Sequence, residues 1–445
     1  MIQAKTFENK SSDMITLREV FDRKDPNGKG RLVMISSVII TTIMNGFVSG
    51  NLYTAFLTLH DFSIVDVGII GMLPLLASCF GIFGPMILER FQKRKWILAA
   101  GRFLYFTINI LGTTIMPFVT HTKEQAVVFL GLIVFLGGVV NHLFSSGYTV
   151  WHLNFIEGTV RARYYAISQL TSALVGSGTL IGVGILADAI LDTPNAAAIL
   201  TGLRFVGYAL SIIDVVILVL PVEYPYERQA KVNLKNVFLL PIKTPKYMKV
   251  TLLLMLWSIS GAISASAFSY YLLNTVKASV TVMNLFTPCY MLFLFLFSKY
   301  WLRVLDKHSW LKTFAICASI HILTHVPKLF VTADNYIWLY SAALIFQGFT
   351  DVGLNIAYSG LPYMNMPEQD TTYYIAFHSL AVSLASFVGQ SIGTTLLSCI
   401  GDFKIMVLGF EWGAVQILTF LSITGFVLCT LLCFKSNKKL AVPMR

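Results

Sequence analysis

Residues 15–21 read Ile-Thr-Leu-Arg-Glu-Val-Phe, and residues 232–238 read Val-Asn-Leu-Lys-Asn-Val-Phe, the same pattern 217 positions later. Each copy stands ahead of about six long apolar stretches. The echo continues inside them. Glu89-Arg90 and Asp306-Lys307 share the offset of 217, in short basic loops after the second stretch of each half. Tyr164-Tyr165 and Tyr373-Tyr374 open the fifth stretch of each half at an offset of 209, as shorter loops in the second copy would give. Three matches in one order, at matching places, are not chance. Internal repetition of a many-span membrane protein marks a transporter with its site between the halves.

The composition agrees. The chain has 445 residues, of which 56% are hydrophobic and 12% charged, and its mean hydropathy is +0.71. A soluble domain carries roughly 25% charged residues. A spanning helix needs about 20 apolar residues. Twelve stretches qualify, at 33–59, 65–88, 96–118, 126–152, 165–191, 196–222, 250–276, 280–301, 313–332, 336–362, 373–400 and 413–434. The expected fold class is therefore all-α and membrane-embedded, with twelve transmembrane helices in two pseudo-symmetric six-helix bundles. The domain plan is an N-terminal arm (1–32), a first bundle (33–222), a central linker (223–249), a second bundle (250–434) and a tail (435–445). In the arm, Ser12-Asp13 caps an expected amphipathic helix over Ile15, Leu17, Val20 and Phe21, and Pro26-Asn27-Gly28 ends it.

A formal net charge of +11 raises the question of nucleic acid, and the placement of the bases answers it. Of the 33 Lys and Arg, 27 lie in the arm, the even-numbered loops with their margins and the tail; only Lys123, Lys277, Lys328 and Lys404 lie at the odd-numbered loops. Arg102 and Arg204 lie within spans. This is positive-inside asymmetry. It puts both termini in the cytoplasm of a multi-pass protein of the cell inner (plasma) membrane, and it removes the need for a nucleic-acid partner. No cleavable signal peptide is visible. The six cysteines lie in or near apolar spans, without zinc spacing.

The loop after the second span reads Gly84-Pro85-Met86-Ile87-Leu88-Glu89-Arg90-Phe91-Gln92-Lys93-Arg94-Lys95. It resembles the Gly-x-Leu-x-Asp-Arg-x-Gly-Arg-Lys loop of the major facilitator superfamily. Pro85 and Gln92 stand where that family usually has Gly, while the acid, Arg90, Lys93 and Arg94 are kept. Glu157 with Arg161 and Arg163 resembles the loop after the fourth span in bacterial efflux-permease-like members. The resemblance implies two bundles rocking about a cavity lined by spans 1, 4, 7 and 10. It also implies a gating role for Glu89, Arg90, Lys93, Arg94 and Asp306, as an inner-side charge relay that holds the outward-open state. Simple topology marking would also explain these bases. Asp66 and Asp188, at the outer ends of spans 2 and 5, are candidates for an outer gate.

Ionisable groups in apolar spans are costly and are functional candidates by default. Span 10 carries Gln347, Asp351 and Asn355 at i, i+4, i+8, a stripe on one helix face. Span 4 offers Asn141, His142, Ser145 and Tyr148. Gly138, Asn141 and Tyr148 match Gly348, Asp351 and Tyr358 at an offset of 210. Span 1 offers Thr42, Asn45, Ser49 and Tyr53, and span 7 offers Trp257, Ser260, Ser264 and Tyr270. The expected substrate-binding set is Asn45, Ser49, Tyr53, Asn141, His142, Tyr148, Trp257, Ser264, Gln347, Asp351 and Asn355. Proton coupling is expected at Asp351, with His142 as its partner across the bundles or as a second carrier. Helix–helix bonding is the alternative role for Asp351, Asn45 and Asn141, and a satisfied core histidine that for His142. Arg102 is expected to snorkel, and Arg204 and Asp214 to be structural and too far apart to pair. His321 and His325 share a face, but no third metal ligand follows.

Catalytic motifs are missing: there is no Walker loop, nucleophile elbow or His-Glu-x-x-His. The sequence therefore reads as a non-enzyme without cofactor or metal. The expected function is secondary transport of a small organic solute, by a monomer in lipid, coupled to protons or another ion. The glycine run Gly176, Gly178, Gly182, Gly184 of span 5 fits an antiporter motif except that Val183 stands where Pro belongs, which favours efflux slightly. The alternatives are a sugar or other polar-solute importer and a transporter-fold sensor that moves nothing.

Overall fold

Asp25 opens the first span. Its carboxylate accepts from the backbone N–H groups of Asn27 and Gly28, each at 3.0 Å, and Pro26 takes the first helical position, where no N–H is needed. The Pro-Asn-Gly turn expected to end an arm helix thus starts a membrane helix instead. In this computed structural model, residues 20–88, 90–153, 155–156, 158–224, 234–367 and 371–440 are described. Glu89, Glu157 and the arm up to residue 19 lie outside them.

Span 1 runs as Pro26–Val48 and Gly50–Thr58. Ser49 Oγ donates back to the Asn45 carbonyl at 2.7 Å, and Gly50 takes φ +63°, a conformation that a side chain would strain. Span 2 is Ile64–Ala77, Ser78–Phe83 and Gly84–Leu88, with the tighter 3₁₀ turn following Pro74. Spans 4, 5 and 6 are Lys123–Leu153, Gly158–Ile190 and Ala196–Val219. The second half follows as Pro245–Asn274, Val280–Lys307 (with a joint at Leu285), Trp310–Phe330, Tyr336–Tyr363, Thr371–Ile400 and Ala414–Leu440, spans 7 to 12. Eleven of these helices are long and apolar enough to cross a membrane. Span 3 lies where the sequence puts it but is assembled from pieces: Lys95–Phe106, a wide π turn Thr107–Gly112, and Met116–Val119.

The repeat is visible in the packing. A Cβ on Gly138 would stand 2.7 Å from Ala77 of span 2, and one on Gly348 would stand 2.8 Å from Phe293 of span 8. Tyr148 donates to the Leu98 carbonyl of span 3 at 2.9 Å, and its mate Tyr358 packs on Phe314 of span 9. Equivalent residues thus touch equivalent spans in the two halves. Of the linker, the helix Leu234–Ile242 lies along span 11, with Phe238 edge-on to Phe377 and Thr244 against the Tyr374 hydroxyl.

The two ends of the molecule differ. Toward the termini, one core cluster around Trp151 and Phe155 draws only on the first half, and another around Trp301 and Phe314 only on the second. Ile82 of span 2 alone reaches the cluster around Tyr247 and Phe377. At the opposite end the cores interlock: Val280 of span 8 is buried among Phe56, Phe62 and Val183, and Ile64 and Val65 pack on the second half's Leu272 and Leu397 cluster.

One local structure was not expected. Between spans 11 and 12, β1 (Ile405–Val407) pairs antiparallel with β2 (Phe410–Trp412). Leu408 and Gly409 both have positive φ, as a two-residue primed turn requires. Lys404 is bonded to Glu411, which raises the lysine's pKa.

Candidate polar relay and outer contact

Span 10 presents its stripe to span 9. Lys328 Nζ donates to Gln347 Oε1 at 3.1 Å, and Gln347 Nε2 donates to Asp351 Oδ2 at 3.2 Å. Asp351 Oδ1 lies 2.8 Å from His321 Nδ1, a charge contact in which the ring N–H is not aligned on the oxygen. His321 Nε2 then meets His325 Nε2 at 3.1 Å. Five side chains make one chain: Lys328, Gln347, Asp351, His321, His325. Aromatic rings wall it. Trp257 lies 5.7 Å from His321, Phe426 lies 5.2 Å from His325, and Lys328 sits 5.8 Å over Phe268. Each imidazole can accept on one nitrogen while donating on the other, so the pair can hold or pass a proton without moving the backbone. The carboxylate sits at the middle, with its side chain 15% exposed.

The expected partner of Asp351, His142, is not the one found. The acid meets His321 of its own half, because spans 9 and 10 pack side by side. The sequence marks the His321/His325 pair by its i,i+4 spacing, but only the fold brings an acid to it. Lys328 reads as a loop residue in sequence. It is pulled inward by the 3₁₀ turn Pro327–Phe330.

The other expected residues separate into two groups. Asn45, Ser49 and Asn355 are exposed, and Asn355 donates to the Tyr290 hydroxyl at 3.2 Å. Asn141 and His142 are half-buried on span 4. Tyr53, Tyr148, Trp257 and Ser264 are instead used inside their own bundles. Tyr53 lies under the Arg204 guanidinium at 4.9 Å. Trp257 packs on Phe314 and Phe426, and Ser264 accepts from Ser422 at 2.9 Å.

The first half holds its own buried charges. Arg102 does not snorkel; its Nε lies 2.6 Å from Asp214 Oδ2, and Ser37 donates to the other Asp214 oxygen at 2.5 Å. Arg204 has no acid among the described residues. It bonds Thr113, Thr114 at 3.2 Å and the Val48 carbonyl at 3.0 Å, an oxygen that the break at Ser49–Gly50 leaves free. Arg204 and Asp214 do not pair with each other, as the sequence spacing requires.

Asp188 joins the halves. Its carboxylate takes the Ser279 hydroxyl at 2.5 Å and the N–H groups of Val280 and Thr281 at 2.6 and 3.1 Å, which open span 8. A Cβ on Gly184 would stand 2.7 Å from the Thr281 backbone, so only glycine permits that approach. Beside it, Asn51 donates to Asn284 at 2.8 Å, Tyr270 to the Phe62 carbonyl at 3.3 Å and Gln390 to the Gly68 carbonyl at 3.2 Å. Asp66 is occupied within the first half, where it closes a capping box with Ser63 and pairs with Lys123 at 2.9 Å. Toward the termini, Arg90, Lys93 and Asp306 are exposed, while Arg94 is buried and donates to the Phe91 carbonyl at 3.1 Å.

Two six-span halves, interlocked at one end and holding separate cores at the other, invite comparison with solved proteins. The nucleoside transporter NupG, crystallised as a point mutant, matches with a TM-score of 0.68 at 12% identity, over 91% of this chain and 99% of that one. The fold is that of major facilitator superfamily transporters. A D-xylose–proton symporter matches with a TM-score of 0.63 at 14% identity, over 91% and 96% of the two chains. A bacterial homologue of the human lysosomal transporter Spinster, in an inward-facing and unoccupied conformation, matches with a TM-score of 0.63 at 13% identity, over 94% and 98%. No family model matches the sequence, and no curated protein matches it. The chain is a multi-pass membrane protein with the architecture of these transporters.

Proposed function

We propose that this protein is a secondary transporter that moves a small organic solute by alternating access, and that the Asp351 relay couples the movement to protons. The observation that carries the reading is the relay itself. A carboxylate, two histidines and a lysine are costly inside apolar spans, and a purely structural joint needs none that titrate. The second half supplies the charge at Asp351. The repeat mate Asn141 supplies only hydrogen bonding, as a site between unequal halves requires. The interlocked end is the outer one on the charge bias, so the conformation is inward-facing, both termini are cytoplasmic, and Asp188 is an outer gate. We place the protein in the cytoplasmic membrane.

Export is the favoured direction. Gly178 and Gly182 have open space where a Cβ would stand, which supports the antiporter-like reading at those two positions, while Gly184 serves close packing on Thr281. A second reading, import of a sugar or other hydroxylated solute, rests on the exposed amides of Asn45 and Asn355.

The test is counterflow in proteoliposomes with labelled nucleosides, sugars and amphipathic cations. At least one should exchange, and an imposed pH gradient should drive its accumulation. A solute that stabilises the purified protein yet never crosses would establish the sensor reading instead.

A further inference from the structure

At the interlocked end the two halves enclose a cavity of about 510 Å³, open to the outside of the bundle. Asp188 and Ser279 of the outer contact line it, and no residue of the Asp351 relay does. The first half contributes Leu59 and Asp192, and the second contributes Asn274, Lys277 and Tyr336. Asp188 is already committed to its three donors. That leaves Asp192 and Lys277, one charge of each sign, one from each half. Both are exposed, and neither enters an ion pair among the described residues. Lys277 sits at φ +54°, an unfavourable backbone for a side-chain-bearing residue, in the tight turn that begins the approach to span 8. The turn sets that lysine beside the cavity. The rest of the wall mixes polar groups, Thr58, Asn274 and Ser279, with the apolar faces of Leu59, Leu191 and Tyr336. The volume suits a small molecule rather than a polymer segment.

We propose that this cavity is a binding site for a small zwitterion with separated ammonium and carboxylate groups, of the ω-amino acid class, and that its occupation holds the outer end shut. The ammonium goes to Asp192 and the carboxylate to Lys277. The methylene spacer lies along Leu59 and Tyr336. Because the walls come from both halves, the cavity is whole only while the outer ends are together. A ligand that binds one of two states shifts the population toward that state. The site is therefore a brake operated from outside, distinct from the transported solute's site.

The experiment uses glycine, β-alanine, 4-aminobutyrate and 6-aminohexanoate as probes on the purified full-length protein. One member of the series should raise the unfolding temperature. It should also shorten the spin-label distance across the outer ends. Asp192→Asn and Lys277→Gln should each weaken its apparent affinity about tenfold. The double exchange Asp192→Lys with Lys277→Asp should restore it. The proposal is overturned if no probe shifts the wild type, or if both single variants respond as the wild type does. Binding that leaves the outer distance unchanged would refute the brake.

Discussion

The two halves descend from one pattern yet treat buried charge in opposite ways. In the first half, Asp214 is fully buried and Arg204 is 2% exposed. Their partners are an arginine, hydroxyls and a backbone carbonyl, none of which changes charge near neutral pH. In the second half, Asp351 meets a histidine through a contact that is close but misaligned, and a glutamine links it to a lysine. The first arrangement carries fixed charges, although Arg102 Nε and Asp214 Oδ2 are also close without an aligned hydrogen bond. The second gathers a carboxylate, two imidazoles and an amine, the groups to which the proposed function assigns proton exchange, and it is partly open. On the proposed function, one copy serves as a firm body and the other as a responsive one.

The comparison breaks most severely at Arg102. Arg102→Ala leaves Asp214 buried without its cation, at a cost of about 3–5 kcal/mol, so the purified variant should unfold at a much lower temperature or fail to express. Wild-type thermal stability in that variant would mean that the first half is not a fixed body. Asp351→Asn should behave differently. The amide keeps the shape and can still bond Gln347, so unfolding should change little, while pH-driven accumulation is lost and solute exchange survives. Loss of exchange together with stability would make Asp351 a helix joint. A smaller effect is expected at the outer contact. Asp188→Ala removes three hydrogen bonds to span 8, each worth about 0.5–1.5 kcal/mol net, and should raise the share of molecules with separated outer ends in spin-label distance measurements. The smallest belongs to Arg90→Ala. Arg90 is exposed, and thermal unfolding should not move; only the turnover rate tests whether the basic loop gates.

Much of this was readable in the chain, for reasons of geometry. Span positions follow from apolar length, and the repeat from matched offsets. Asp351 stood out because a carboxylate in a span is rare. What escaped depended on neighbours in space. The Arg102–Asp214 pair links spans 3 and 6, which are separated by more than a hundred residues. The role of His321 waited on span 9 packing beside span 10. Lys328 was hidden because a lysine beside Pro327 reads as a loop. The β1–β2 hairpin had a usable signal in Leu408-Gly409 between short apolar runs, weakened because leucine seldom takes positive φ. Span 3 was placed correctly, but its π turn has no sequence mark that periodicity detects.

The central claim is that the Asp351 relay senses protons and sets the conformation. Spin labels on the outer ends of spans 1 and 10 test it without knowledge of the solute. Distances would be recorded from about pH 5 to about pH 8, a range that brackets the ordinary imidazole value. In the wild type the share of molecules with joined outer ends should change with pH, and Asp351→Asn should flatten that response while remaining folded. An unchanged pH response in Asp351→Asn would contradict the account.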